Sequence, residues 1–471
     1  MKHVSQLLLC VTVAAVLGTS SLAGCSAPAG NRLTPAAFSQ ASPASTPSTK
    51  IKHVIILIQE NRSFNDLFAT FPGANGTTSG YYLKKVGKNY VKTPIQLKET
   101  TLAALDFNHD SKAYNLDCDG QDTYPKTSCD MDGFNLEGIN GNNPAGTQAY
   151  QYTNPSQIQP YWTIAQQFGL ADNMFQTQGS GSFTAHQDII AGGTALNSTL
   201  SDIDYPNENT IWGCSAPANT VTSAITTSGQ YLFQQGPFPC FDYPTPTLSD
   251  LLDRKGISWK CYAPPYKKDT AGALWNGFAA IDEVYNGPEW KANMSVPETN
   301  ILTDISGGTL PGVSWVIPDQ VDSDHPHTLN GQYHGPEWIA SVVNAVGQSS
   351  YWNTTAIVVF WDDWGGLYDA VPPAFFDHQG GLGFRVPMLV ISPYTHKGTL
   401  SHTQYETASI LKFVEQIFAL GSMGTNDVRA ASIGDMFDFQ MSRRKFQVVP
   451  SKLGRHYFLT RPPSYEPVDT E

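Results

Sequence analysis

Three carboxylates stand at the ends of two apolar runs. Val54, Ile55, Ile56, Leu57 and Ile58 form one run, and polarity returns abruptly at Gln59-Glu60-Asn61. Thr355 to Trp361, TAIVVFW, forms the other and ends in Asp362-Asp363-Trp364-Gly365-Gly366. If both runs are strands of one parallel sheet, Glu60, Asp362 and Asp363 meet beyond its carboxyl edge, where open α/β sheets carry ligands. Carboxylates crowded there repel one another and lose hydration. A bound divalent cation removes the conflict, and hard cations take oxygen ligands. Either stretch alone reads equally well as a solvated acidic turn. The two together, with the histidines below, favour a site.

A Gly-flanked serine, Ser182, lies in Gln178-Gly179-Ser180-Gly181-Ser182-Phe183-Thr184-Ala185-His186-Gln187. Flanking glycine lets a substrate approach the backbone closely, and a cation can stabilise a serine alkoxide. On its own this segment reads better as a Ser/Gly surface turn. Histidines recur in Asp106-Phe107-Asn108-His109-Asp110 and in Asp322-Ser323-Asp324-His325-Pro326-His327. A lone histidine is more often a satisfied structural residue than a functional one.

Glu60-Asn61-Arg62-Ser63-Phe64 resembles the ENRSF signature of the bacterial phosphoesterase family. That family holds phosphatidylcholine-type phospholipases C and certain acid phosphatases on an alkaline-phosphatase-like α/β fold. The resemblance implies that Glu60, Asn61, Ser182, Asp362 and Asp363 surround a divalent metal ion, whose identity the sequence leaves open. It implies Ser182 as the nucleophile, His109 and His325 at the phosphate or leaving group, and His186 in phosphate binding. Phosphate-ester hydrolysis needs these three things: an in-line nucleophile, a cation to offset phosphoryl charge and a proton for the leaving oxygen. His327 is a nearby alternative to His325. Gly383-Phe384-Arg385-Val386-Pro387 and Ser401-His402-Thr403-Gln404-Tyr405 look like the family's C-terminal core, with Arg385 a structural anchor rather than a phosphate clamp. Thr184 and Ala185 replace the usual Pro-Asn, and Ala370 stands where a histidine is common; these bear on substrate preference.

The elements that must position these residues alternate between strand and helix. Ile158–Phe168 is amphipathic with Gly169 as its stop, and Thr247–Lys255 is a short helix capped by Thr247 and ended by Gly256. Val313–Ile317 is a strand, and Pro336–Val346 a helix leading straight into Thr355–Trp361. Val386–Ile391 is a further strand, and Glu406–Phe418 a helix with Ile410, Phe413, Val414 and Ile417 on one face. Residues Gly73–Gly146 read as loop-rich and Ile203–Phe241 as an irregular insertion. The pattern predicts an alkaline-phosphatase-like α/β architecture: a central, mostly parallel sheet with helices on both faces.

Composition narrows the function. The 471 residues carry 28 basic and 41 acidic side chains, a formal charge of −13, which excludes nucleic-acid binding through a basic surface. Lys2 and His3 precede an apolar stretch, Leu7–Leu17, too short to span a bilayer. Leu22-Ala23-Gly24-Cys25 resembles a bacterial lipobox, so residues 1–24 read as a lipoprotein signal and Cys25 as the lipidated residue. An ordinary secretory signal cleaved near Ala27 is the alternative. Residues 25–50, rich in Ala, Ser, Thr and Pro, read as a flexible tether, 51–439 as the catalytic body and 440–471 as a peripheral tail. In an oxidising compartment Cys118 can pair with Cys129 and Cys214 with Cys240, leaving Cys261; sequence leaves the connectivity open.

Taken together, the sequence predicts an exported, envelope-anchored or secreted metal-dependent phosphoesterase of the phospholipase C type. Its partners would be a phosphate-ester substrate, with a phospholipid as one candidate, and a membrane reached through the lipid anchor. An acid phosphatase acting on monoesters is the alternative within the class. A non-catalytic envelope lipoprotein that keeps the fold for binding is the alternative outside it. Oligomeric state is not legible.

Overall fold

The computed structural model describes residues 50–103, 105–139, 143–326, 331–465 and 468. The leader, Cys25 and His327 lie outside the described residues.

A strand made of Val54–Ile58 has no polar face to turn to water, so it must be covered on both sides. Among the described residues, nine strands make the sheet that does this: β1 (His53–Gln59), β2 (Gly169–Phe175), β3 (Trp259–Tyr262), β4 (Met294–Ser295), β5 (Val313–Val316), β6 (Thr355–Trp361), β7 (Arg385–Ile391), β8 (Thr399–Ser401) and β9 (Tyr405–Glu406). Their order is β4-β3-β5-β1-β6-β7-β2-β8, with β9 also paired to β2. All neighbours are parallel except those of β7, which runs against both β6 and β2. The mostly parallel sheet predicted from the pattern is therefore present.

Register decides what meets at the carboxyl edge. Gln59 pairs with Trp361, so Glu60 and Asp362 emerge side by side. Reversal of β7 puts its first residue, Arg385, at the same edge, opposite Phe175. The segment between β6 and β7 therefore stays at that edge instead of crossing the sheet, and it carries Asp362, Asp363 and Asp369.

Helices cover the sheet. The first group comprises α6 (Gly335–Gly347), which packs on α3 (Gln159–Gln167) and α8 (Arg455–Thr460). The second comprises α4 (Ser182–Ala191), which packs on α5 (Leu248–Lys255) and α7 (Thr407–Phe418). Two further helices, α1 (Phe64–Phe68) and α2 (Ser111–Asp119), flank the loops near the sheet edge. Trp315 of β5 donates its indole N–H to the Ile189 carbonyl of α4 at 3.0 Å, tying that helix to the sheet. The Thr247 cap is a reciprocal capping box with Asp250, and Gly256 closes α5 at φ +65°.

Several expectations are corrected in detail. Gly169 does not cap α3; it opens β2, and the helix ends at Gln167 with Phe168 as its C-cap. The loop-rich stretch holds an antiparallel hairpin, Ser79–Val86 with Asn89–Gln96, whose mostly exposed residues lack an alternating apolar pattern. The region read as irregular contributes Ser223–Thr226 and Tyr231–Leu232 to a small antiparallel sheet, in which Ser223–Thr226 pairs with the preceding strand Leu200–Ile203. The tail, read as peripheral, sends Val449 and Phe458 into the main core, and Arg461 binds Asp319 and Asp322. Cys118–Cys129 and Cys214–Cys240 are disulfides, and Cys261 is free and buried in β3. No helix among the described residues is long and apolar enough to cross a membrane.

Candidate active site

The turn after β1 is set by hydrogen bonds to its neighbours. The Glu60 amide donates to the Ser323 carbonyl at 2.8 Å, and the Asn61 amide to Asp362 Oδ1 at 3.0 Å. Asn61 takes φ +60°, which turns its side chain into the site. Gly365 approaches so closely that a Cβ there would lie 2.3 Å from the Asn61 carbonyl oxygen, and its own φ is +59°. Glycine is required at that position.

Ser182 is the first residue of α4, after Gly181, and it is buried rather than on a surface turn. Its Oγ lies 3.1 Å from Asp363 Oδ2, 3.3 Å from Glu60 Oε2 and 3.5 Å from Asn61 Oδ1. One hydroxyl proton faces two carboxylates, and the α4 amides add a positive potential that favours a bound anion. The Asp363 carboxylate is itself held by the Gly365 amide at 2.7 Å.

Asn61 also organises both predicted histidines. Its Nδ2 donates to His109 Nε2 at 2.9 Å and to His325 Nε2 at 3.2 Å. The opposite nitrogens face carbonyls: His109 Nδ1 lies 2.7 Å from Phe107 O and His325 Nδ1 2.6 Å from Pro326 O. Each ring thus carries its proton on Nδ1 and turns a basic Nε2 towards Ser182's neighbourhood. Trp275 stacks on His325, with ring centroids 5.6 Å apart. Arg62, from the same signature, is a brace: it donates to the Asp324 carbonyl through Nε at 2.9 Å and Nη2 at 2.7 Å, and pairs with buried Asp66. It fixes the loop that presents His325.

Burial dominates the electrostatics. It pushes the Glu60 carboxyl up to about 8, against the opposing hydrogen bond to Asp362. It pushes Asp362 and Asp363 up to about 7, each raised further by the neighbouring carboxylate. Burial lowers the His186 pKa, with Asp362 and Asp363 opposing. Without a counter-cation these groups hold protons that a divalent ion would replace. The residues fit such an ion. Ligand atoms of Glu60, His186 and Asp362 lie within 4.8 Å of one another, all buried, and Asp362 Oδ2 has no hydrogen-bond partner.

Every described candidate is therefore brought to one place: Glu60, Asn61, His109, Ser182, His186, His325, Asp362 and Asp363. His186, expected at the substrate, has Nε2 3.0 Å from Glu60 Oε1 and 3.8 Å from Asp362 Oδ2. It stands with the carboxylates, a placement that four residues of helix after Ser182 would have suggested, since i and i+4 share a face. Arg385 is away from Ser182's partners; it pairs with buried Asp369. Exposed His402 bonds Asp172. A second acidic group, Glu298, Asp319 and Asp322, has Arg461 as its built-in cation.

Comparison with known proteins places the chain in a family. The model of the Phosphoesterase family matches residues 51–421, and the chain belongs to that family. It is 24% identical to a non-hemolytic phospholipase C of Burkholderia pseudomallei, over 89% of this chain and 63% of that one. It is 23% identical to phospholipase C A of Mycobacterium tuberculosis, over 82% and 76%. A non-hemolytic phospholipase C of Pseudomonas aeruginosa is 25% identical, over 82% and 56%. The chain thus spans less than two thirds of the length of the Burkholderia and Pseudomonas relatives. A solved Vibrio parahaemolyticus protein of the alkaline phosphatase superfamily aligns at 12% identity and a TM-score of 0.33, covering 59% of this chain and 65% of that one.

Proposed function

We propose that this protein is a metal-dependent phosphodiesterase of the phospholipase C type, in which Ser182 attacks phosphorus. The observation that supports it most directly is the Ser182 hydroxyl, held within 3.1–3.5 Å of Asp363, Glu60 and Asn61 at the start of a helix. In-line attack forms an Oγ–P bond as the P–O bond to the leaving alcohol breaks. Asp363 or Glu60 accepts the serine proton. His109 and His325 take up a second proton on Nε2 from solvent as the anionic phosphoryl group binds; as imidazoliums they donate to the phosphoryl oxygens, and one of them gives its Nε2 proton to the leaving oxygen. Water then cleaves the phosphoserine. Glu60, Asn61, Asp362 and Asp363, with Ser182 and His186 beside them, would hold a divalent ion, which supplies charge to offset the phosphoryl group. Relatives named as phospholipases C support a phospholipid diester as substrate. Export and lipidation at Cys25 complete the proposal, placing the enzyme in the cell envelope.

The test compares p-nitrophenyl phosphorylcholine with p-nitrophenyl phosphate, with and without chelator, in wild type and Ser182→Ala. Metal-dependent diester cleavage lost in Ser182→Ala, with the protein still folded, is the expected result. Cleavage of the monoester alone would make the protein a phosphatase. Unchanged turnover in Ser182→Ala would overturn the nucleophile assignment.

A further inference from the structure

The hairpin Ser79–Val86/Asn89–Gln96 is out of keeping with the rest of the surface. The chain carries a net −13, yet Ser79 to Lys98 holds five lysines and no acidic residue. The tip reads Lys84-Lys85-Val86-Gly87-Lys88-Asn89-Tyr90-Val91, turning at Gly87 with φ +63°. Its apolar side chains are not tucked away: Val86 is 54% exposed, and Tyr90 and Val91 are each 48% exposed. Lys92 is spoken for by Asp132 at 3.3 Å. No ion pair joins Lys84, Lys85 or Lys88 to a carboxylate among the described residues.

The root of the hairpin is fixed near the site. Tyr82 and Ile95 pack on the cluster containing Trp364 and Tyr368, and Trp364 follows Asp363 directly. Gly80 lies against Tyr368 so closely that a Cβ would meet its hydroxyl at 2.3 Å. A rigid root therefore carries a solvent-facing tip of lysines, valines and a tyrosine. Exposed valine and tyrosine gain by entering an acyl–headgroup boundary, where tyrosine's apolar ring and polar tip are both satisfied. Lysine stems can lie along that boundary with their ammonium groups at lipid phosphates.

We propose that this hairpin docks the protein on an anionic lipid surface, with Lys84, Lys85 and Lys88 at the headgroups and Val86, Tyr90 and Val91 entering the interface. The occupant is argued from charge. A body of net −13 is repelled by such a surface, and the hairpin tip is a local patch of the opposite sign. Docking here deepens the phospholipid reading of the site, on which it rests, by holding the edge that carries Asp363 near the bilayer.

The experiment measures full-length protein on vesicles of equal parts phosphatidylcholine and phosphatidylglycerol, and on pure phosphatidylcholine. The triple variant Lys84→Gln/Lys85→Gln/Lys88→Gln and the variant Val86→Ser/Tyr90→Ser are compared with wild type. Residues 1–49 are common to all, so differences report the hairpin. Three lysines near an anionic surface are worth roughly a hundredfold in partitioning, and the effect fades at high salt. The expected result is that loss in the triple variant on anionic vesicles, a smaller loss in the Ser variant, and unchanged turnover of a water-soluble diester. Equal partitioning of wild type and triple variant, or no preference for anionic vesicles, would overturn the proposal. Soluble-diester turnover separates the two readings: turnover without hairpin-dependent binding sinks this inference alone, and binding without turnover sinks the phospholipase reading.

Discussion

Replacing Arg385 by Met tests whether this buried arginine is a strut or a phosphate ligand. Arg385 and Asp369 are both fully buried. The guanidinium meets Asp369 through Nε at 3.1 Å and Nη2 at 3.0 Å, and Nη1 donates to the Asp172 and Asn75 carbonyls at 2.7 and 2.8 Å. It also lies 4.4 Å over the Phe64 ring. Asp369 in turn accepts from the Asn65 amide at 3.0 Å and the Val371 amide at 2.8 Å, so the pair ties β7 to α1 and to the segment after β6. Burial already raises the Asp369 pKa, with Arg385 opposing it. Met fills much of the space but leaves a buried carboxyl and two carbonyls without their donor. Breaking one partner of a buried pair costs about 3–5 kcal/mol. For a folded unit of roughly 400 residues, with about 2 cal/mol/K of unfolding entropy per residue, about 4 kcal/mol lowers Tm by about 5 °C. Differential scanning calorimetry beside steady-state kinetics is the assay. Arg385→Met should lower Tm by that amount with KM for a soluble diester nearly unchanged, and adding Asp369→Asn should recover part of the loss. A tenfold rise in KM at unaltered Tm would refute the reasoning and make Arg385 a phosphate clamp.

Two further outcomes follow from other parts of the molecule. Gly365→Ala forces a Cβ against the Asn61 carbonyl at a φ of +59°, a conformation that costs an L-residue about 1–2 kcal/mol before any clash. Displacing Asn61 disturbs both histidines and Ser182, so kcat should fall by about a hundredfold and divalent-ion affinity should weaken by titration calorimetry; unchanged kinetics would show that the turn tolerates the shift. Burial, opposed by the Met423 amide and reinforced by Asp427, pushes Glu415 up to about 8. An unfolded glutamate releases its proton near 4.3, so between about pH 4.5 and 8 the native state holds a proton that the unfolded chain has lost, and stability falls as pH rises through that window. Glu415→Gln should flatten the dependence of Tm on pH there, and parallel profiles for wild type and variant would rule the assignment out.

The strands and the carboxyl-edge acids were legible because their signals are local. An unbroken, mostly β-branched apolar run such as Val54–Ile58 reads as a covered strand, and its abrupt stop at Gln59-Glu60-Asn61 marks a sheet edge. The Thr247 cap, the amphipathic face of Glu406–Phe418 and the ENRSF signature are likewise contained within a few residues. The hairpin was not legible, because most of its side chains are exposed and no apolar period marks it. Only tertiary structure decided that β7 runs antiparallel, which brings Arg385 and Asp369 to the sheet edge. It also decided that His186 turns to Glu60, 126 positions earlier, and that Arg461 of the tail neutralises Asp319 and Asp322. Those outcomes rest on which distant charges share a buried volume. Hydrophobic periodicity determines where an element lies and which face it covers, whereas a buried charge's partner depends on how the elements pack together.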